Sequence, residues 1–219
     1  MSFQVSSFET TVERLRIALG QPLPGASAHR LMSPHPRREW PSGFDRDRIR
    51  HAAGLLLLVP IEDHAHIVLT LRADALGRHG GQVSLPGGVA EPGETVEQAA
   101  LREAHEEIAL PPDTVRVLGT LTPVDIPVSG FRLHPVVAMT AARPRLTPSD
   151  GEVARILEVS MADLVDPACR GSTSRVRDGR TVDVPAFHVA GVEIWGATAM
   201  VLAEFLVLTG WSPTHAERP

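Results

Sequence analysis

Glu103, Glu106 and Glu107 stand at positions i, i+3 and i+4 of one segment. On a helix that spacing puts all three carboxylates on one face. Like charges so placed destabilise an isolated helix by roughly 0.2–0.5 kcal/mol per pair, and a cation between them reverses the sign. Hard oxygen ligands suit Mg²⁺ or Mn²⁺, and Mg²⁺ typically binds carboxylates together with substrate phosphates. A solvated helix face is the plain alternative. The loop upstream weighs against it: Pro86-Gly87-Gly88 allows close approach of backbone to a metal or phosphate, and Gly93-Glu94 sits just before the helix start.

The elements around this cluster can be placed. Thr95 is a good N-cap, and Gln98 completes a capping box. Pro111 and Pro112 forbid the helix to continue. Upstream, Phe8, Val12, Leu15 and Leu19 mark a helix over 8–19, stopped by Gly20 and Pro22. Residues 20–50, rich in Pro, Arg and His, read as an extended arm. Ala52–Val59 is a continuous apolar run, expected as a buried strand. His66–Arg72 follows it across an acidic turn at Glu62-Asp63, which predicts a hairpin. Residues 74–94 read as loop. Strands are expected at Val115–Leu121, Leu133–Thr140 and Ala154–Ser160, with a loop at Asp125–Gly130 and a turn or helix at Met161–Val165. Short strands are expected at Thr181–Val184 and Ala186–His188, and a closing helix at Gly196–Leu208. This order says α+β, an α/β/α sandwich around one core.

The bulk properties exclude several classes. The 219 residues are 43 % hydrophobic and 21 % charged, ordinary for a globular chain. A net charge of −5 argues against a nucleic-acid binder. All 21 basic residues are arginine, so no lysine chemistry is available. The one cysteine, Cys169, excludes an intrachain disulfide and fits a reducing, cytoplasmic location. No signal peptide and no membrane span is expected, because the apolar stretches Ala52–Pro60 and Ala199–Leu208 are too short.

The segment Gly88–Leu110 resembles the Nudix box: glycine, five residues, glutamate, seven residues, arginine-glutamate, an apolar residue, any residue, glutamate-glutamate, any residue, glycine, apolar. Gly88, Glu94, Arg102, Glu103, Glu106, Glu107 and Leu110 match. Ala109 stands where the family has glycine; a left-handed conformation there costs alanine about 1 kcal/mol. The resemblance implies a Nudix fold, a mixed sheet between helices, with residues 51–219 as the hydrolase domain and 1–50 as a helix and arm packed on it. It implies Glu103, Glu106 and Glu107 as metal ligands, one of them orienting or deprotonating a water, and the Gly87 carbonyl as a further ligand. Glu94 and Arg102 would pair to fix the loop on the helix. Glu152, before the expected strand at 154, is a candidate additional acid. Metal would neutralise a diphosphate and lower the pKa of a bound water held in line with phosphorus.

The stretch before the box is similar to the extra motif of the coenzyme A pyrophosphatase branch. Leu69, Thr70, Arg72, Ala73, Gly81, Pro86, Gly87 and Gly88 match, while Gly77 replaces an arginine, with Arg78 one place later, and Leu85 replaces phenylalanine. Arg72, Arg78, His79 and Gly81 are therefore candidate substrate contacts. Ile194-Trp195-Gly196 also resembles this branch, where such a segment opens the last helix. Coenzyme A or an acyl derivative would be cut to 3′,5′-ADP and 4′-phosphopantetheine or its acyl form. The alternatives are another nucleoside diphosphate derivative, such as ADP-ribose or NADH, and a Nudix nucleotide sensor without turnover. The expected partner is a small-molecule diphosphate; a homodimer stays open.

Overall fold

The computed structural model describes residues 6–73, 81–177 and 179–212. In chain order the helices are α1 (Phe8–Leu19), α2 (Ala26–His29), α3 (Val96–Ile108), α4 (Met161–Val165) and α5 (Gly196–Leu208). The strands are β1 (Arg50–Ile61), β2 (His64–Arg72), β3 (Val83–Ser84), β4 (Gly87–Val89), β5 (Val115–Thr120), β6 (Val124–Ile126), β7 (Phe131–Thr140), β8 (Val153–Ser160), β9 (Arg170–Arg177), β10 (Arg180–Val189) and β11 (Val192–Trp195).

The apolar run of β1 is the spine. Leu55 to Val59 are all fully buried, which is why the run does not alternate: both faces of this strand are covered. β1 and β2 form an antiparallel hairpin, with Ile61 opposite His64. Glu62 and Asp63 between them have φ of 49° and 62°, the two positive angles that a tight two-residue hairpin turn requires. On its other side β1 runs parallel to β7, from Arg50 opposite Phe131 to Leu58 opposite Met139. β3 and β8 pair with β2, β4 with β1, and β5 and β6 with β7, giving an eight-stranded mixed sheet. A separate three-stranded antiparallel sheet has the order β11-β10-β9.

α3 packs on one face of the large sheet, where Ala99, Ala100, Ala104 and Ile108 meet Ala53, Leu55 and Leu57. α1 and α5 cover the other face, where Leu15 and Phe205 join Leu56, Leu58 and Ile67. This is the expected α/β/α sandwich, but the sheet divides the apolar interior into two clusters rather than one.

Several local expectations need correction. The Gly-rich stretch expected as loop contains β3 and β4, because glycine weakens a strand signal without preventing ladder pairing. The expected loop at 125–130 begins with β6, a hairpin partner of β7. The arm is not extended throughout: it carries α2 and two 3₁₀ turns, Arg30–Met32 and Arg46–Arg48. β10 is a single strand running through Pro185, and β9 and β11 were not foreseen. Among the described residues, no helix is long and apolar enough to cross a membrane.

Candidate active site

Two adjacent glycines bring β4 against both β1 and α3. A Cβ on Gly87 would lie 2.2 Å from the Ala53 carbonyl oxygen, so only glycine fits the β1–β4 approach. A Cβ on Gly88 would lie 2.4 Å from the carboxylate of Glu103, so that carboxylate rests directly on the glycine backbone. The helix carrying Glu103 starts at Thr95, whose side chain accepts from the Gln98 N–H while Gln98 accepts from the Thr95 N–H: the capping box forms. α3 ends at Ala109, with φ 53° and ψ 33°, the left-handed conformation for which the family uses glycine.

Arg102 binds the loop to this helix. Its Nε and Nη2 donate to the two Glu94 oxygens at 2.8 and 3.0 Å, and Nη2 also donates to the Val89 carbonyl at 3.1 Å. The hydrogen bond from Arg102, aided by the Glu91 N–H, holds Glu94 down at about 2. Nη1 of the same guanidinium reaches Glu103 at 2.9 Å and Glu106 at 3.3 Å.

Glu107 has a different environment. It is buried, and its Oε2 accepts from the Gly87 N–H at 3.0 Å. Nη1 of Arg72, at the end of β2, lies 3.8 Å from Oε1. Burial pushes the Glu107 carboxyl up to about 7; the Gly87 N–H and Arg72 pull it down, while Glu103 and Glu152 push it further up. Glu152 thus faces the cluster electrostatically. Its loop is tied to the helix end by Ser149 N–H donating to the Glu107 carbonyl and Thr147 N–H to that of Ile108. The Ala73 N–H donates to the Glu152 carbonyl, and the Gly81 N–H to that of Arg72, so these loops gather at one end of β2. Arg78 and His79 lie outside the described residues.

The donor set fits a hard divalent cation: carboxylates of Glu103, Glu106 and Glu107 on one helix, with the negative charge of Glu152 nearby. The fit lies in the chemistry of the donors, not in a ready cage. Among the described residues no three acidic, histidine or cysteine side chains converge on one point, because Glu103 and Glu106 are turned onto Arg102 and Glu107 onto Gly87. Burial is the main cause that raises Glu107, and a cation held between these groups would offset it together with the smaller repulsion from Glu103 and Glu152.

A cavity of about 410 Å³ opens beside Arg72, Gly87 and Gly88 on the sheet face opposite α3, beneath the start of α5. Trp195 lines it, ending β11 at the N-cap position of α5, with the Arg175 guanidinium 4.6 Å from its ring centroid. The sequence placed Trp195 in a segment that opens the last helix; its partners in the cavity wall, Val128 and Phe131, carried no local signal.

The model of the NUDIX domain family matches residues 50–174, more than half of the chain. A protein from Enterobacter sp., named as an uncharacterised Nudix hydrolase NudL, is 34 % identical over 165 residues, covering 75 % of this chain and 85 % of that one. The corresponding Pectobacterium atrosepticum protein is 45 % identical over 108 residues, covering 48 % of this chain and 56 % of its own length. The crystal structure of RenU, a Nudix hydrolase from M. smegmatis, has a TM-score of 0.51 and 26 % identity, covering 73 % of this chain and 83 % of that one. The chain belongs to the Nudix family. It is a hydrolase of the pyrophosphatase kind, acting on small-molecule diphosphates, in a family that generally uses divalent metal ions.

Proposed function

We propose that this Nudix hydrolase cleaves the diphosphate of coenzyme A and its acyl derivatives, giving 3′,5′-ADP and 4′-phosphopantetheine or the acylated form. The observation that carries the reading is the position of Arg72. The residue that the branch motif singles out lies 3.8 Å from Glu107 and also on the wall of the cavity, where a guanidinium can bind a phosphate by charge-assisted bonds.

Glu103, Glu106 and Glu107, with Glu152 and the Gly87 carbonyl, would hold Mg²⁺ or Mn²⁺, which when bound neutralises the diphosphate and acidifies a water. The chain's own residues do the rest. Gly88 leaves room for the Glu103 carboxylate, and Arg102 with Glu94 anchors the helix to the loop. Arg72 orients the phosphates, with Gly81 and, on the strength of the branch motif, Arg78 and His79 as the further substrate contacts. Water oxygen bonds to one phosphorus, the bridging P–O bond breaks, and a carboxylate of the cluster takes the water's proton. The hydrolase domain is assigned to residues 51–219, and α1 and α2 of the preceding segment pack against it. Cytoplasmic action fits the single Cys169, whose thiol burial and the neighbouring Asp166 and Asp163 keep protonated.

The departures at Gly77 and Leu85 favour a second reading, hydrolysis of ADP-ribose, NADH or another nucleoside diphosphate derivative. The test compares kcat/KM for coenzyme A, its 3′-dephospho form and ADP-ribose, in wild type, Arg72→Ala and Arg78→Ala. Coenzyme A is expected to lead by about 10- to 150-fold where an arginine reads the 3′-phosphate. If ADP-ribose leads in the wild type, the second reading replaces the first.

A further inference from the structure

The cavity beside the glycines is chemically lopsided. It runs from Arg72 on β2, across β4 and β1, to Phe131 on β7 and the turn after β6. At the Arg72 end lie charge and the backbone of Gly87 and Gly88. The remaining wall is mostly apolar, with Val83, Leu85, Ile126, Phe131, Leu133 and Trp195 as its large side chains.

The few polar side chains in this wall are already engaged within the protein. Thr198 donates to the Val83 carbonyl at 3.1 Å, Ser129 to that of Ile126 at 3.3 Å, and Ser84 shares a 3.1 Å hydrogen bond with Thr70. Gln82 has an interaction of its own. A nucleobase or sugar placed against this wall would find few side-chain partners, whereas an apolar chain needs none. Val128 points the same way: it is 60 % exposed and lines the cavity, one of the few large apolar side chains left to water among the described residues.

We propose that this cavity is the subsite for an apolar arm of the substrate, an alkyl, thioether or acyl chain attached to the phosphate that does not carry the nucleoside. It rests on the reading of the glutamate cluster as the diphosphate-cleaving site, and it makes Val128, Phe131 and Ala197 specificity-determining residues. Ala197, on the first turn of α5, is a small residue in the lining, where a larger side chain would take up space.

The test uses n-alkyl esters of ADP, from methyl to octyl, in the intact protein with Mg²⁺. Burial of each methylene should raise kcat/KM about fourfold until the cavity is full. Val128→Asp, at an exposed position that spares folding, should flatten that slope. Ala197→Phe should end the rise at a shorter chain. Calorimetric Kd values for the same esters read the cavity even if none is hydrolysed. A flat series in both kcat/KM and Kd, or an unchanged slope in Val128→Asp, overturns the proposal. So does a greater response to changing the base, guanine for adenine, than to changing the chain. If the alkyl series climbs while coenzyme A is not cleaved, the subsite stands and the coenzyme A reading falls. If coenzyme A is cleaved and the series is flat, the subsite alone falls.

Discussion

Two glutamates are buried on two 13-residue helices, and the protein treats them in opposite ways. Glu204 on α5 is saturated. Its Oε1 accepts from the Gly25 N–H at 2.9 Å and the Thr122 hydroxyl at 2.6 Å; its Oε2 accepts from the Thr122 N–H at 3.1 Å and meets His29 Nε2 at 2.9 Å. Burial alone would push this carboxyl up, but the bonds from His29 and Thr122 outweigh it and hold it below its ordinary value. Glu107 on α3 has one backbone N–H and a guanidinium at 3.8 Å, against Glu103 and Glu152, and stands at about 7. The lesson is that burial of a charge does not define its role; the supply of donors does. A saturated carboxylate fastens the arm and the β5–β6 connection to α5. An undersupplied one is stabilised by a cation or a proton, which is what metal-assisted phosphate chemistry needs.

The comparison breaks most sharply in activity. Glu107→Gln keeps an acceptor for the Gly87 N–H but removes the charge, and kcat should fall by roughly 10²- to 10⁴-fold. Its metal-free thermal midpoint should not drop, because the cost of burying the charge, with the smaller repulsion from Glu103 and Glu152, goes with it. A folded Glu107→Gln that keeps kcat within tenfold of wild type sinks the assignment. Glu204→Gln is the mirror image. An amide nitrogen facing either Thr122 or Gly25 confronts a donor with a donor, and stability in urea unfolding should fall by about 3 kcal/mol, while kcat per folded molecule changes far less than in Glu107→Gln.

The pH dependence separates the same two groups by sign. Glu107 is raised from 4.5 to about 7, so the folded chain keeps a proton that the unfolded chain releases in that window. Metal-free stability should therefore fall as pH rises through it, by about 3 kcal/mol from this group. Glu107→Gln should remove that slope, and Mg²⁺ should shrink it. Glu204, depressed, contributes stability above its unfolded value that is lost as pH falls through its folded one. Urea unfolding at a series of pH values reads both. The smallest effect sharpens the box itself. Ala109→Gly relieves the left-handed alanine after α3 and should add about 1 kcal/mol with kcat unchanged.

Legibility in the sequence followed the range of the interactions. The Glu103, Glu106 and Glu107 face, the Thr95 and Gln98 cap and the ends of α1 and α5 are written in residues a few positions apart, and all could be read. Glu94 with Arg102 was readable through the box. Arg72 stood out in the motif, but its approach to Glu107 needs β2, β4 and α3 assembled. Glu204 was passed over because its partners lie 82 to 179 residues away. One signal was present: a lone carboxylate inside the apolar run Ala199–Leu208 must find donors if that run is buried. β3, β4, β6, β9 and β11 escaped because such strands are defined by the partner they pair with more than by their own residues.

The parallel pairing of β1 with β7 has a consequence for how the molecule assembles. Its register joins Arg50 to Phe131, so the central ladder closes a loop of about 80 residues, and α3 lies within that loop. The β1–β2 hairpin is a local event on the microsecond scale, whereas the β1–β7 ladder is a long-range one that makes folding slow for a chain of this size. The glutamate-bearing helix can coil early and meets Ala53, Leu55 and Leu57 on β1, but Val136 and Ala138 of its docking surface arrive only with the ladder. The docking surface of this helix is thus completed late, and a chain interrupted before β7 offers it only the side formed by β1 and β4.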